Sequence, residues 1–238
     1  MNDFTEIWSY LAAEPLLWLT VTVTAYLIAD GIARAAKGAA LANPVLIAVG
    51  LVAAVLMATG TPYAAYFEGA QFIHFLLGPA TVALAAPLYF HRAAIRSRLL
   101  PIVAALAAGS LAAIASALGL AAVLGLPDEL LTALAPKSTT APVAIGIAEA
   151  MGGSPTLTAT LVILTGVIGA VIAPSALSAV KVRDPAARGM AIGVASHGIG
   201  AARAFREGES AGAFAGIGLG LNAVLTALLA PVILTLFL

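Results

Sequence analysis

A polar stretch interrupts an otherwise apolar chain at residues 135–153, APKSTTAPVAIGIAEAMGG. It contains four consecutive polar residues: Lys137, Ser138, Thr139 and Thr140. An ammonium group, hydroxyl donors and the free amides of a helix that starts near Pro142 are groups that bind a small anion. The alternative is structural, because Lys137 can extend to the membrane surface and the hydroxyls can bond to the preceding turn. Three hydroxyls in a row favour the anion site.

A second polar group of residues lies at 195–205, ASHGIGAARAF. Ser196 and His197 precede Gly198 and Gly200, and glycines allow another backbone to approach closely. His197 donates hydrogen bonds and titrates near neutral pH. We therefore expect Ser196 and His197 to bind substrate or a proton, with packing inside a hairpin as the alternative for His197.

Three further polar residues leave a choice between function and structure. Glu149 follows Thr140 by about two helical turns, and it either binds a coupling proton or cation or faces water. Asn222 lies in the last apolar span, where it either reaches the binding site or forms an interhelical hydrogen bond. Arg203 is favoured as a cytoplasmic anchor over a second anion contact.

The composition that surrounds these residues is that of an integral membrane protein. Hydrophobic residues make up 62% of the chain and charged residues 9%, whereas soluble domains carry about 25% charge. Several uncharged stretches are long enough to cross about 30 Å of hydrocarbon as helices. The net charge of zero gives no reason to expect a nucleic-acid partner. We predict an all-α fold with several spans.

Enzyme chemistry has no support in the sequence. The three histidines lie far apart, cysteine is absent, and neither GxSxG nor HExxH occurs. A glycine-rich stretch lies inside an apolar span, so it is not a nucleotide loop. We therefore expect no catalytic activity, no cofactor and no metal.

The basic loops predict how the spans are oriented. Apolar spans are predicted at about 16–29, 43–60, 99–124, 155–173 and 210–237, with a segment at 61–92 that Gly78-Pro79 interrupts. Loops 30–42, 91–98 and 175–190 hold eight of the eleven basic residues, so the positive-inside rule places them in the cytoplasm. The acidic N-terminus then lies outside.

This orientation leaves two segments that cannot cross the membrane once each. Residues 129–152 should enter and return on the outer side, and residues 189–205 on the cytoplasmic side. Two broken hairpins from opposite faces are typical of secondary transporters with inverted repeats; the alternative is that both segments cross as full broken helices. GPATVALAAP at 78–87 resembles the start of the 135–153 stretch, as an internal repeat would. We expect 1–98 to form scaffold spans and 99–238 a transport unit.

Three stretches also resemble a known family: LLGPATVALAAPLY, PKSTTAPVAIGIAEAMGG and ASHGIGAARAF. They are similar to the signature stretches of the LrgB/CidB membrane proteins, and the resemblance covers about 16–237. It implies a bacterial inner-membrane protein of one LrgB-like domain, often accompanied by a small LrgA/CidA-type subunit.

The resemblance implies two functions. Bacterial members are described as holin- or antiholin-like modulators of murein hydrolase export and cell lysis. A plant plastid relative translocates glycolate and glycerate, and bacterial relatives are linked to pyruvate uptake. Because a carrier needs broken helices and a polar site at mid-membrane, we favour a transporter of small monocarboxylates. A homodimer is expected by analogy with carriers that move one domain against a fixed scaffold.

Overall fold

The computed structural model describes residues 14–36, 42, 44–76, 79, 82–83, 89–90 and 92–238, and these ranges contain no β-strand. The helices are α1 (Pro15–Ala35), α2 (Pro44–Thr59), α3 (Tyr63–Phe75), α4 (Arg92–Ser97), α5 (Leu99–Val123), α6 (Asp128–Leu134), α7 (Ala141–Ala150), α8 (Pro155–Ala179), α9 (Pro185–Phe205) and α10 (Glu209–Leu234). Four of these, α1, α5, α8 and α10, are long and apolar enough to cross a membrane. The predicted all-α, multi-span class is confirmed.

The chain divides into two compact units, residues 1–80 and 81–238. The predicted boundary between scaffold and transport unit lies later, at 98/99. The N-terminal 13 residues, Gly78 and most of the stretch at 78–87 lie outside the described residues. The predicted internal repeat therefore stays a prediction.

In the first unit, α3 packs closely against α1. A Cβ added at Gly69 would collide with the Pro15 carbonyl oxygen and lie 2.7 Å from the Trp18 Cβ. The fully buried Trp18 ring meets Tyr66 edge to face, with ring centroids 6.0 Å apart. An aromatic contact thus holds two helices where glycine lets their backbones approach.

In the second unit, the predicted 129–152 segment is two short helices with a break between them. A Cβ added at Gly153 would lie 2.7 Å from the Thr132 Cγ2, so the two ends of this segment lie side by side. We call α6, the break at 135–140 and α7 hairpin 1. At about 1.5 Å rise per residue, the ten-residue α7 is about 15 Å long. Hairpin 1 is therefore long enough to reach roughly half of the membrane thickness and return.

The predicted 189–205 segment also folds back on itself, within α9. His197 has φ 42° and ψ −137°, which ends one helical arm and starts another. Arg188 and Glu207 are nineteen residues apart in sequence, yet the Arg188 Nε donates to the Glu207 Oε2 over 2.8 Å. A straight helix would separate them by about 28 Å. We call α9 with the following turn, up to Glu207, hairpin 2.

The two hairpins pack on opposite ends of α5 and α10. Hairpin 1 joins an apolar cluster with the C-terminal ends of these helices, formed by Ile114, Leu118, Ala121, Leu131, Ala135, Ile147, Ala230, Ile233 and Leu234. Hairpin 2 packs on their N-terminal ends, where Met190 and Val194 meet Ile102 and Leu106. Opposed hairpins, as predicted, are what the structure shows; which membrane face each one enters stays a prediction.

Two predicted loops are shorter in the structure. Helix α1 continues through much of the predicted 30–42 loop, where Arg34 forms an ion pair with Asp30 over 2.7 Å. The predicted 175–190 loop is helical except for 180–184. Asp184 stabilises the start of α9 at the C-terminal end of this loop, because its carboxylate accepts from the Ala187 amide over 2.8 Å and caps the helix.

Helix α8 also runs past Pro174, although the predicted span ends at 173. A proline inside a helix removes one backbone hydrogen bond. The turn that follows is held by side chains, because the Pro174 carbonyl accepts from the Ser178 hydroxyl over 2.8 Å and from the Arg188 guanidinium over 3.1 Å.

Candidate functional site

In hairpin 1, the start of helix α7 lies next to the polar residues of the break at 135–140. Thr140 is the N-cap residue of α7, and its side chain makes no capping hydrogen bond within the described chain. Pro142 lies in the first turn, so the free amides there belong to Ala141 and Val143. These amides and the positive end of the helix dipole favour an anion.

Lys137 and Thr139 supply further donors at this break. The half-buried Lys137 Nζ donates to the Ser138 Oγ over 3.2 Å, and no acidic partner is found for Lys137 in the part of the chain that the structure describes. The Thr139 side chain is 0% exposed, and its hydroxyl has no hydrogen-bond partner among the described residues. A buried hydroxyl without a partner is costly, which is consistent with a ligand that binds beside it.

The break in hairpin 2 packs against the middle of α8. The His197 ring is 5% exposed, and its Nε2 lies 2.9 Å from the Val162 carbonyl oxygen. Because a carbonyl only accepts, Nε2 carries the hydrogen and donates, which leaves Nδ1 for another contact. Gly166 makes room for the ring, since a Cβ there would lie 2.7 Å from Nε2.

Ser196 points toward α8. A Cβ added at Gly169 would collide with the Ser196 Oγ. The Ser196 hydroxyl is fully buried and has no partner within the described ranges. Its side chain is thus directed at Gly169, whereas the sequence alone suggested only a substrate contact.

One side chain joins the two hairpins. The Asn222 Nδ2 donates to the Ser138 carbonyl oxygen of hairpin 1 over 3.1 Å and to the Val194 carbonyl oxygen of hairpin 2 over 3.3 Å. Asn222 lies at the middle of α10. The two hairpins therefore meet near the middle of the helices that flank them, as a mid-membrane site requires.

Two of the predicted residues lie away from this junction. Glu149 is exposed near the C-terminal end of α7, which is the opposite end of that helix from the break. Arg203 lies on the returning arm of hairpin 2, and its Nε is buried without a partner among the described residues. Sequence reasoning missed Ser110, which donates to the Asn222 Oδ1 over 2.5 Å. Its signal was a hydroxyl near the middle of a span whose one other polar residue is Ser116.

The base of hairpin 2 is fixed by charge. Arg188 donates to both Glu207 carboxylate oxygens, over 2.8 and 3.3 Å, and also to the Val182 carbonyl oxygen over 3.0 Å. The hydrogen bond to Glu207 raises the pKa of Arg188 above its ordinary value. This ion pair keeps the two ends of the hairpin together while its break stays at the other end.

A groove of about 630 Å³ runs between α5 and the first arm of hairpin 2. It extends from Arg98 and Asp184 at one end to Ala113 and Ala195 at the other. Its walls are otherwise apolar, so beyond the end with Arg98 and Asp184 it lacks the polar contacts that a carboxylate needs. The residues predicted from the sequence to bind an anion lie at the hairpin breaks instead.

The chain is similar to known proteins over nearly its whole length. The model of the LrgB-like family matches residues 22–236. The YxaC protein of Bacillus subtilis strain 168, described as uncharacterised, is 37% identical over 82% of this chain and 84% of its own. The holin-like protein CidB of Staphylococcus epidermidis RP62A is 32% identical over 94% of this chain and 97% of its own. CidB of Staphylococcus aureus N315 is 31% identical over 100% of both chains. No solved structure matches the chain.

Proposed function

This chain belongs to the LrgB-like family, and on that premise we propose that it is a secondary transporter of small monocarboxylate anions. The observation that carries the proposal is the start of α7, which lacks a side-chain cap, beside Lys137 and a buried Thr139 hydroxyl without a partner among the described residues. These groups lie where two opposed hairpins meet. A holin-like pore has no need for such a junction.

The charge at the break suits an anion with one carboxylate. Lys137 is the single basic residue of the break at 135–140, and the helix dipole adds about half a positive charge. A carboxylate would take the amides of Ala141 and Val143 together with the Lys137 ammonium. The Ser138 and Thr139 hydroxyls would donate to the second oxygen. Substrates of this kind include 2-hydroxy and 2-oxo acids such as glycolate, glycerate and pyruvate.

His197 is the candidate for proton coupling. Its Nε2 is engaged by the Val162 carbonyl, so Nδ1 is the atom that would accept from a substrate hydroxyl or take up a proton. Glu149 is a weaker candidate because it lies near the exposed end of α7. We propose that the anion is moved without chemical change, so the protein is not an enzyme and needs no cofactor.

The names of the relatives favour a second function. Two of the similar proteins are called holin-like, which supports a role in the control of cell lysis through a membrane pore. Both proposals include an LrgA/CidA-type subunit, a homodimer, a location in the bacterial inner membrane and an N-terminus on the outside. The two functions differ in selectivity, because a carrier saturates and discriminates whereas a pore passes many solutes.

Uptake into proteoliposomes tests the proposal. We expect saturable uptake of labelled glycolate, glycerate or pyruvate by the unchanged chain. Lys137→Met keeps the side-chain length but removes the charge, and it should weaken apparent affinity about tenfold or more, the value of a lost charged hydrogen bond. Lys181→Met makes the same change at an exposed loop position and should leave uptake unchanged.

Other results would overturn the carrier. Uptake that never saturates, together with leakage of large dyes from the same vesicles, would favour the pore. Equal uptake by Lys137→Met and the unchanged chain would show that the anion does not bind at this break. Each vesicle preparation is checked for folded protein by gel filtration, so lost uptake is not confused with lost protein.

A further inference from the structure

Every hydrogen-bonding position of the Asn222 side chain is occupied. Its amide nitrogen donates to the carbonyl oxygens of Ser138 and Val194. Its amide oxygen accepts from the Ser110 hydroxyl over 2.5 Å and from the Thr226 hydroxyl over 3.4 Å. An amide has two N–H donors and two acceptor positions. None is left for a transported anion, although Asn222 was predicted from the sequence as a candidate substrate ligand.

The partners also determine which way the amide points. Carbonyl oxygens accept and cannot donate, so the nitrogen must face Ser138 and Val194. A flipped amide would place its oxygen against two other oxygens and lose both bonds. The side chain is 1% exposed, so water does not replace these contacts.

The four partners belong to four different parts of the second unit. Ser138 lies in the break of hairpin 1, Val194 lies three residues before the break of hairpin 2, Ser110 is on α5, and Thr226 is on α10 with Asn222 itself. We infer that Asn222 is a positioning residue that couples the two hairpin breaks, so that both move as one body with α5 and α10. This inference rests on the proposed function only for its consequence in transport.

Separate opening of one hairpin would leave its carbonyl group unpaired in an apolar interior. Such a group loses its bond without a gain from water. Because both carbonyl groups share one amide nitrogen, displacing either hairpin also disturbs the bond to the other. Access would therefore alternate by movement of the whole body, with the hairpins as fixed parts of it.

Distance measurements between spin labels test the coupling. The chain contains no cysteine, so Gly146→Cys and Gly198→Cys give one label on each hairpin. A Cβ at either glycine meets nothing within 4 Å. We expect one narrow distance distribution in the labelled chain. Asn222→Asp keeps the side-chain size but replaces the nitrogen with oxygen, and it should broaden the distribution or add a second population.

Ser110→Ala is the matched control, because it touches the same amide but leaves both carbonyl bonds in place. Its distribution should stay narrow. A narrow and unshifted distribution in Asn222→Asp would overturn the inference, as would a broad one in the labelled chain without Asn222→Asp. Should Asn222→Asp not fold, Asn222→Gln moves the amide by one methylene group and should broaden the same distribution.

Competition between carboxylates in the uptake assay distinguishes a positioning role of Asn222 from direct contact with the substrate. If Asn222 only positions the hairpins, Asn222→Asp lowers the maximal rate but leaves the order in which carboxylates compete unchanged. A changed order would mean that Asn222 contacts the substrate, and the inference would fall. The label distances need no transport activity, so failure of the coupling and failure of the proposed carrier are told apart.

Discussion

The two hairpins both reverse the direction of the chain, but they differ in how they break and how they pack. Hairpin 1 breaks over six residues, 135–140, and its arms are held by large apolar side chains such as Leu131 and Ile147. Hairpin 2 breaks at the single residue His197, and its first arm lies directly on the backbone of α10. The first break is a mostly buried stretch of six residues, whereas the second is a tight turn at one residue.

The difference follows from the residue types available. Pro136 near the start of the 135–140 break and Pro142 just after it keep this stretch from continuing as helix. In hairpin 2, Gly189 and Gly193 bring the backbone onto the Ala211 and Ala215 carbonyl groups, as small residues do in membrane helix packing. The packing of hairpin 1 therefore depends on large side chains, whereas the packing of hairpin 2 depends on glycines that have no side chain. Three further substitutions test this contrast.

The largest effect is expected at Gly193. A Cβ there would collide with the Ala215 carbonyl oxygen, so Gly193→Val should push hairpin 2 away from α10 and destabilise the protein by about 3 kcal/mol. Thermal unfolding in detergent measures the change. Gly146→Ala on hairpin 1 has open space around its Cβ and should change the melting temperature little. Equal effects of the two substitutions would break the contrast.

A smaller effect is expected at the base of hairpin 2. Arg188→Lys keeps the positive charge but loses the paired donation to Glu207 and the bonds to Val182 and Pro174. Because the ion pair is only partly buried, we expect a loss of about 1–2 kcal/mol. Arg183→Lys in the adjacent loop is the control. Denaturation that leaves the Arg188→Lys midpoint at the value for the unchanged chain would show that the ion pair does not hold the hairpin.

The smallest effect on stability is expected at His197, where two substitutions separate the backbone strain from the side-chain hydrogen bond. A φ of 42° is strained for a residue with a Cβ. His197→Ala loses the bond to Val162 and keeps the strain, whereas His197→Gly loses the bond and relieves the strain. His197→Gly should therefore be the more stable of the two by about 1 kcal/mol. Equal melting temperatures would mean that the turn is not strained.

The sequence supports much of this arrangement. Charge counting predicted both hairpins, because each segment begins and ends on the same side of the membrane once the charged loops are assigned to their sides. The Pro, Gly and hydroxyl residues indicated where the breaks lie. The fourfold use of Asn222 could not be predicted, because its partners are two backbone carbonyl groups and two hydroxyls that only the fold brings together. Ser110 was overlooked for the same reason, since neither it nor Ser116 forms a periodic pattern in this apolar span.

The depth of the hairpin breaks has an electrical consequence. Asn222 and Ser110 lie near the middles of α10 and α5, so an anion bound at the breaks would sit about halfway across the membrane field. A full crossing changes the energy of one elementary charge by about 2.3 kcal/mol per 100 mV, and half a crossing by about 1.2 kcal/mol. The apparent affinity of a bound monovalent anion would then change about sevenfold for every 100 mV. Membrane voltage would thus act on binding itself, before any movement of the protein.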